Sequence, residues 1–199
     1  MNDETETFDD SAWFRRFRIP PGRVVSTRRA VEQNRRAVDD STPGPEELFH
    51  ALLELAWALT PLGREAEAVD FGERARQLAK ELGDRREEIE ALLHLGTALQ
   101  YGGHAGRAQL CFDDALALSA QHDEPEHVHY LLHHAARLKA ESGEIETARS
   151  FFERALHLRK DIGDDALVKS TQAALEELDS WCADRRDDAS GEAGRKASG

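Results

Sequence analysis

The sequence predicts an all-α fold, an array of antiparallel helix pairs stacked side by side and closed by capping helices. Three observations predict it. One pattern of small and large residues recurs at an offset of 40 residues through the middle of the chain. Within each unit, apolar residues recur at three- and four-residue spacing, the period of one helix face. Single glycines fall where those helices should end, and Leu and Ala dominate between them, which is helix-forming composition.

The units are 45–84, 85–124 and 125–164. Leu52, Leu92 and Leu132 align, as do the small residues Ala56, Gly96 and Ala136. Gly63, Gly103 and Gly143 mark the turn inside each unit, where a glycine can end one helix and start the next. In the second half, Ala68, Ala108 and Ala148 align, then Ala75, Ala115 and Ala155, then Leu78, Leu118 and Leu158. Gly72 departs from Phe112 and Phe152, and Phe71 beside it is expected to fill the space. In the first unit Leu52, Leu55, Ala56 and Leu59 make the apolar stripe of one helix, and Ala68, Phe71, Ala75 and Leu78 that of its partner. A single pair cannot bury both faces; three stacked pairs with capped ends can. Gly83–Asp84 and Gly163–Asp164 break the chain between units, and residues 122–125 do so once.

Leu92, Leu95–Gly96, Leu99, Gly103, Ala108, Phe112 and Ala115 together resemble the signature of the tetratricopeptide repeat (TPR) family, over about Leu48 to Asp164. The period of 40 exceeds the family's usual 34 and is similar to a long-repeat branch found in bacterial regulators and scaffold proteins. The resemblance implies a right-handed superhelical array whose first helices line a concave groove for a partner. Carried onto this chain, the groove residues are His50, Leu53, Glu54, Trp57 and Thr60, then Glu90, Leu93, His94, Thr97 and Tyr101, then Tyr130, His133, His134 and Arg137. Some TPR modules clamp a terminal carboxylate with Lys, Asn and Arg. The matching positions here are Leu53, Trp57, His94, Tyr130 and His134, which argues against the acidic tails of heat-shock chaperones as partners.

The flanks read as caps and tails. Residues 1–23 form an acidic stretch followed by an arginine- and aromatic-rich arm, and 24–44 a helix and a linker. Residues 165–182 are expected to be a capping helix, and 183–199 a disordered tail. The net charge is −13, unevenly spread, with eight arginines against one acid in 13–38. Arginines among Trp13, Phe14 and Phe17 could pair with phosphates and stack on bases. An acidic body would repel such a polyanion, so nucleic acid is disfavoured. Cys111 and Cys182 have no CxxC partner; Cys111 reads as a small core residue in a reducing compartment. No apolar run has the length of a membrane span, and the acidic start lacks signal-peptide chemistry. The expectation is a cytoplasmic protein with no membrane partner.

The stretch EHVHYLLHHAARL (126–138) gathers His127, His129, His133 and His134. It lacks HExxH, a nearby cysteine or a carboxylate at a ligand spacing, so no metal is assigned, and it reads as a polar, partly solvated helix face. Imidazoles clustered there raise the expectation of a groove that titrates near pH 6.5. No nucleophile elbow, phosphate loop or dinucleotide fingerprint occurs, so no catalytic residue and no cofactor are assigned. The reading is a non-enzymatic scaffold or adaptor that holds a partner peptide or helix in its groove. The alternatives are a regulatory module whose arm contacts nucleic acid or an acidic partner, and a His-rich metal or ligand sensor. Self-association through the ends of the array is compatible with each.

Overall fold

The computed structural model describes residues 21–39, 43–122 and 125–196, with side chains described as far as 183. The expected arm (1–20), part of the first linker (40–42), residues 123–124 and the last three residues lie outside the described residues. Among the described residues there are eight α-helices and no strand. α1 spans Pro21–Asp39, and the repeats follow as α2 (Pro45–Leu59) with α3 (Glu65–Leu82), α4 (Arg85–Tyr101) with α5 (Ala105–His122), and α6 (Val128–Glu141) with α7 (Ile145–Ile162). α8 spans Asp165–Lys196. It runs past 182, where the sequence suggested an end to the cap and the start of a disordered tail. No proline interrupts 165–196, and Ala, Glu, Arg and Lys, all good helix formers, recur along it.

The joints follow from local chemistry. Gly63, Gly103 and Gly143 have φ of 73°, 78° and 79°, the left-handed region that β-carbon-bearing residues avoid. Between units, Gly83 ends α3 with its N–H on Lys80 O, and Asp84 then caps α4 by accepting the N–H of Glu87 at 3.0 Å. Asp164 repeats this at the start of α8, accepting from Ala166 and Leu167.

The core is built on the aligned small residues. Ala68, Ala108 and Ala148, and likewise Ala75, Ala115 and Ala155, are all fully buried. They let the paired helices approach closely. Phe112 lies against Gly96 so tightly that a β-carbon there would sit 2.8 Å from Phe112 Cε1. At Gly72 the expectation that Phe71 fills the space is corrected. A β-carbon on Gly72 would lie 3.2 Å from Leu95 Cβ, so the next unit's α4 takes that room. Phe71 packs instead in the first core cluster, with the guanidinium groups of Arg35 and Arg74 over its ring. On the outer faces ion pairs tie neighbours together: Arg35 to Glu67, Arg107 to Glu73, Arg76 to Asp114 and Arg149 to Asp179. Cys111 is buried, as expected, and burial pushes its thiol pKa up.

Gly96→Ala should lower stability in urea by about 1–2 kcal/mol, because overpacking exceeds the helix-propensity gain of alanine. Gly106→Ala, on α5, meets nothing within 4 Å and should be neutral or slightly stabilising. Equal effects at both sites would refute the close-packing account.

Candidate functional site

A cavity of about 530 Å³ opens on the side lined by the first helices of the repeats. The 40-residue period places its walls. α4 contributes Glu90, Leu93, His94, Thr97 and Tyr101, and α6 contributes Tyr130, His133, His134 and Arg137. α2 contributes Trp57, 48% exposed, with Thr60 and Pro61 from the turn that follows. His50, Leu53 and Glu54, expected in the same groove, are not part of this cavity. They lie further toward the start of α2, where Leu53 is buried in the first core cluster and His50 and Glu54 are exposed. The cavity is centred on α4 and α6, and its far end is closed by Arg159 from α7 and by Leu167 and Ser170 from α8.

His127 and His129, which the sequence did not tie to the groove, acquire places. His127 lines the cavity with Nε2 3.9 Å from Glu90 Oε2. His129 is buried and packs on Arg159. Arg159 was not among the residues expected from the sequence. It is 2% exposed, and its Nε donates to His129 Nδ1 at 3.3 Å. Its Nη1 donates to Thr171 Oγ1 at 2.6 Å and Leu167 O at 3.2 Å, and lies 3.3 Å from His133 Nδ1. Its guanidinium carbon stands 5.5 Å from the Tyr130 ring centre, a cation–π geometry. Burial draws its pKa down from the ordinary value, and Tyr130 and Asp164 act in the opposite direction.

This arrangement decides the state of the histidines. A nitrogen that accepts from an arginine needs its lone pair, so His129 is neutral, with its proton on Nε2. Burial, then the nearby Arg159, holds the His129 pKa at about 4. Burial, then His127, holds that of His94 at about 4. Burial first, then neighbours that include Arg137 and Arg159, holds His133 and His134 well below the usual imidazole range. Although His94 and His134 keep some surface open to the cavity, protein surrounds them on the other sides. The expectation of a groove titrating near pH 6.5 is therefore corrected for these four rings. The expected solvated face is corrected too, since His129 and His133 are buried. Among the described residues no three His, Cys, Asp or Glu side chains are placed to hold a metal ion. Between His129 and His133 the position is taken by the Arg159 guanidinium.

No protein-family model matches the chain, and no curated protein matches it significantly. Solved structures do. The TPR domain of Arabidopsis FLU is 22% identical with a TM-score of 0.55, over 59% of this chain and 99% of that one. A Podosopora anserina chain, a putative kinesin light chain with nearly identical TPR-like repeats, is 17% identical with a TM-score of 0.58, over 90% and 92%. The fold is a TPR-like solenoid. BtubC (BKLC) from P. vanneervenii, 19% identical with a TM-score of 0.57 over 80% of this chain and 71% of that one, has a similar fold. At these identities the likeness carries the TPR-like architecture and leaves function to the site. No helix among the described residues is long and apolar enough to cross a membrane.

The neutral histidines carry a stability consequence. Their folded pKa values lie below the unfolded value of about 6.5, so the unfolded chain binds more protons between about pH 6.5 and 4. Stability should fall as pH drops through that window and be insensitive to these rings above it. A tenfold difference in proton affinity between folded and unfolded chain is worth about 1.4 kcal/mol. Urea midpoints should thus decline from about pH 7.5 to about pH 5, less steeply in His134→Gln. A flat wild-type profile would contradict the neutral-imidazole assignment.

Proposed function

We propose that the chain is a non-enzymatic interaction module that holds a peptide or helix of a partner protein along its concave side. TPR-like folds generally mediate protein–protein contact. The observation that carries the reading is the exposed Trp57 at the mouth of a cavity whose walls repeat from α4 to α6. Trp and Tyr supply large contact area at little entropic cost and are enriched among residues that dominate binding energy. Thr97 and Arg137 stand at the same repeat position as Trp57, and His94 and His134 share another, so one run of partner chain would meet similar positions in succession. The fixed hydrogen-bonding state of the histidines suits recognition by shape and polarity.

The groove residues assigned to the partner are Trp57, Glu90, Leu93, His94, Thr97 and Tyr101, with Tyr130, His133, His134 and Arg137 on the third unit. His50, Leu53 and Glu54 belong to a longer contact only if the partner extends beyond the cavity along α2. The test compares partner capture by the unaltered chain with that by Trp57→Ala/Tyr130→Ala. Leu110→Ala, exposed on α5 and outside the cavity, serves as the control. Loss of a partner by about tenfold or more in the double variant alone is expected. Equal loss or equal retention in both variants defeats the groove assignment.

A further inference from the structure

The third repeat departs from the other two in a concerted way. At one repeat position Ala79 and Ser119 give way to Arg159; at a second, Phe49 and Ile89 give way to His129. At a third, Leu53 and Leu93 give way to His133, and on α8 Thr171 stands 40 residues beyond Leu131 and 80 beyond Ala91. Four positions that are apolar or small elsewhere become polar together, and the four side chains meet in one hydrogen-bonded cluster.

Such a cluster is a poor way to fill a core. Burying a guanidinium strips its water, and a carboxylate partner is the usual compensation. Arg159 has none within ion-pair distance among the described residues: Nε and Nη1 meet only neutral nitrogens and oxygens, and Asp164 acts at longer range. Nη2 takes part in none of these bonds, and Arg159 lines the cavity. The other charges on that wall are Arg137 and Glu90, so the cavity carries an excess of positive charge within a chain of net charge −13.

We propose that this cavity is a binding site for a small organic carboxylic acid. Its carboxylate accepts from Nη2 of Arg159, and its apolar body lies against Trp57, Tyr101 and Tyr130. A single carboxylate fits better than a phosphate because Glu90 shares the cavity and the lining is mostly apolar. A small molecule fits better than a chain because Arg159 is only 2% exposed, which leaves room for a slim group, and the volume lies in the range that encloses a compact ligand. The inference goes beyond the partner-groove reading and stands or falls apart from it.

The full chain is titrated with acetate, benzoate, 3-phenylpropionate and decanoate, and in parallel with acetamide, benzamide, 3-phenylpropionamide, decanamide and phenyl phosphate. Binding is followed by melting temperature and by ¹⁵N-resolved arginine side-chain signals. At least one acid is expected to raise the melting temperature in proportion to dose. Its amide should bind about tenfold more weakly or not at all, with movement of one arginine Nε–H signal that is missing from Arg159→Lys. Because the lysine variant could fail to fold, the acid–amide contrast on the unaltered chain decides alone. Acids and amides binding alike, phenyl phosphate binding more tightly than every acid, or none of the acids binding overturns the proposal. Since none of these results depends on partner capture by Trp57→Ala/Tyr130→Ala, failure here is distinguishable from failure of the groove reading.

Discussion

The structure depends on how closely paired helices approach across columns of small residues. Alanines 68, 108 and 148, with 75, 115 and 155, have no exposed surface. They leave the larger side chains to interlock across the narrow gap, as packed interiors require. Size is traded between neighbours. In the second unit glycine at 96 makes room for Phe112. In the first, Ala56 stands at the matching position, the aromatic is lost to Gly72, and Leu95 of the next unit moves into contact. Each exchange locks one helix in rotation about its axis, so the whole array inherits a single register.

The concave site follows from that register. Once Leu92 and Leu132 point into the stack, residues at 90, 93, 94 and 97 and those 40 further on must share the opposite side. No residue of the site needs a strained backbone or a special loop to reach its place. α8 is more than a lid on exposed apolar surface. Its first turns supply Leu167 and Ser170 to the far end of the cavity and Thr171 as a buried partner of Arg159, so the cap helps build the site.

Architecture was legible because it is written redundantly, three times at one spacing, and glycine with aspartate punctuates it. Most of the cavity wall was legible for the same reason, once a register was known. What escaped was Arg159. Basic residues at helix ends are usually solvated, and α7 also carries Lys160, which is exposed. Alignment of Arg159 with Ala79 and Ser119 held the signal, since a long cation in a small-residue column must be buried or break the packing. His50, Leu53 and Glu54 lie outside the cavity for a different reason. The repeat position was right, but the cavity is centred on α4 and α6, so the outer half of α2 lies beyond it. The continuation of α8 past 182 was hidden by composition: the charged, glycine-bearing residues that suggest a tail also include good helix formers.

Arg159 links the histidines to the charge of the cavity. By donating to His129 Nδ1 it occupies the lone pair that a proton or metal ion would use there, and its guanidinium stands beside His133 Nδ1. The same cation raises the energy of any second positive charge in the cluster, which burial alone would already oppose. His94, His129, His133 and His134 therefore act as neutral hydrogen-bonding groups across the ordinary pH range, and the positive charge beside them comes from the Arg159 guanidinium. Within a stretch that reads in sequence as a polar, partly solvated helix face, His129, His133 and His134 thus form a neutral wall around a buried cation. What holds that wall in place is geometry, the hydrogen bonds of Arg159 to His129, Thr171 and the Leu167 carbonyl.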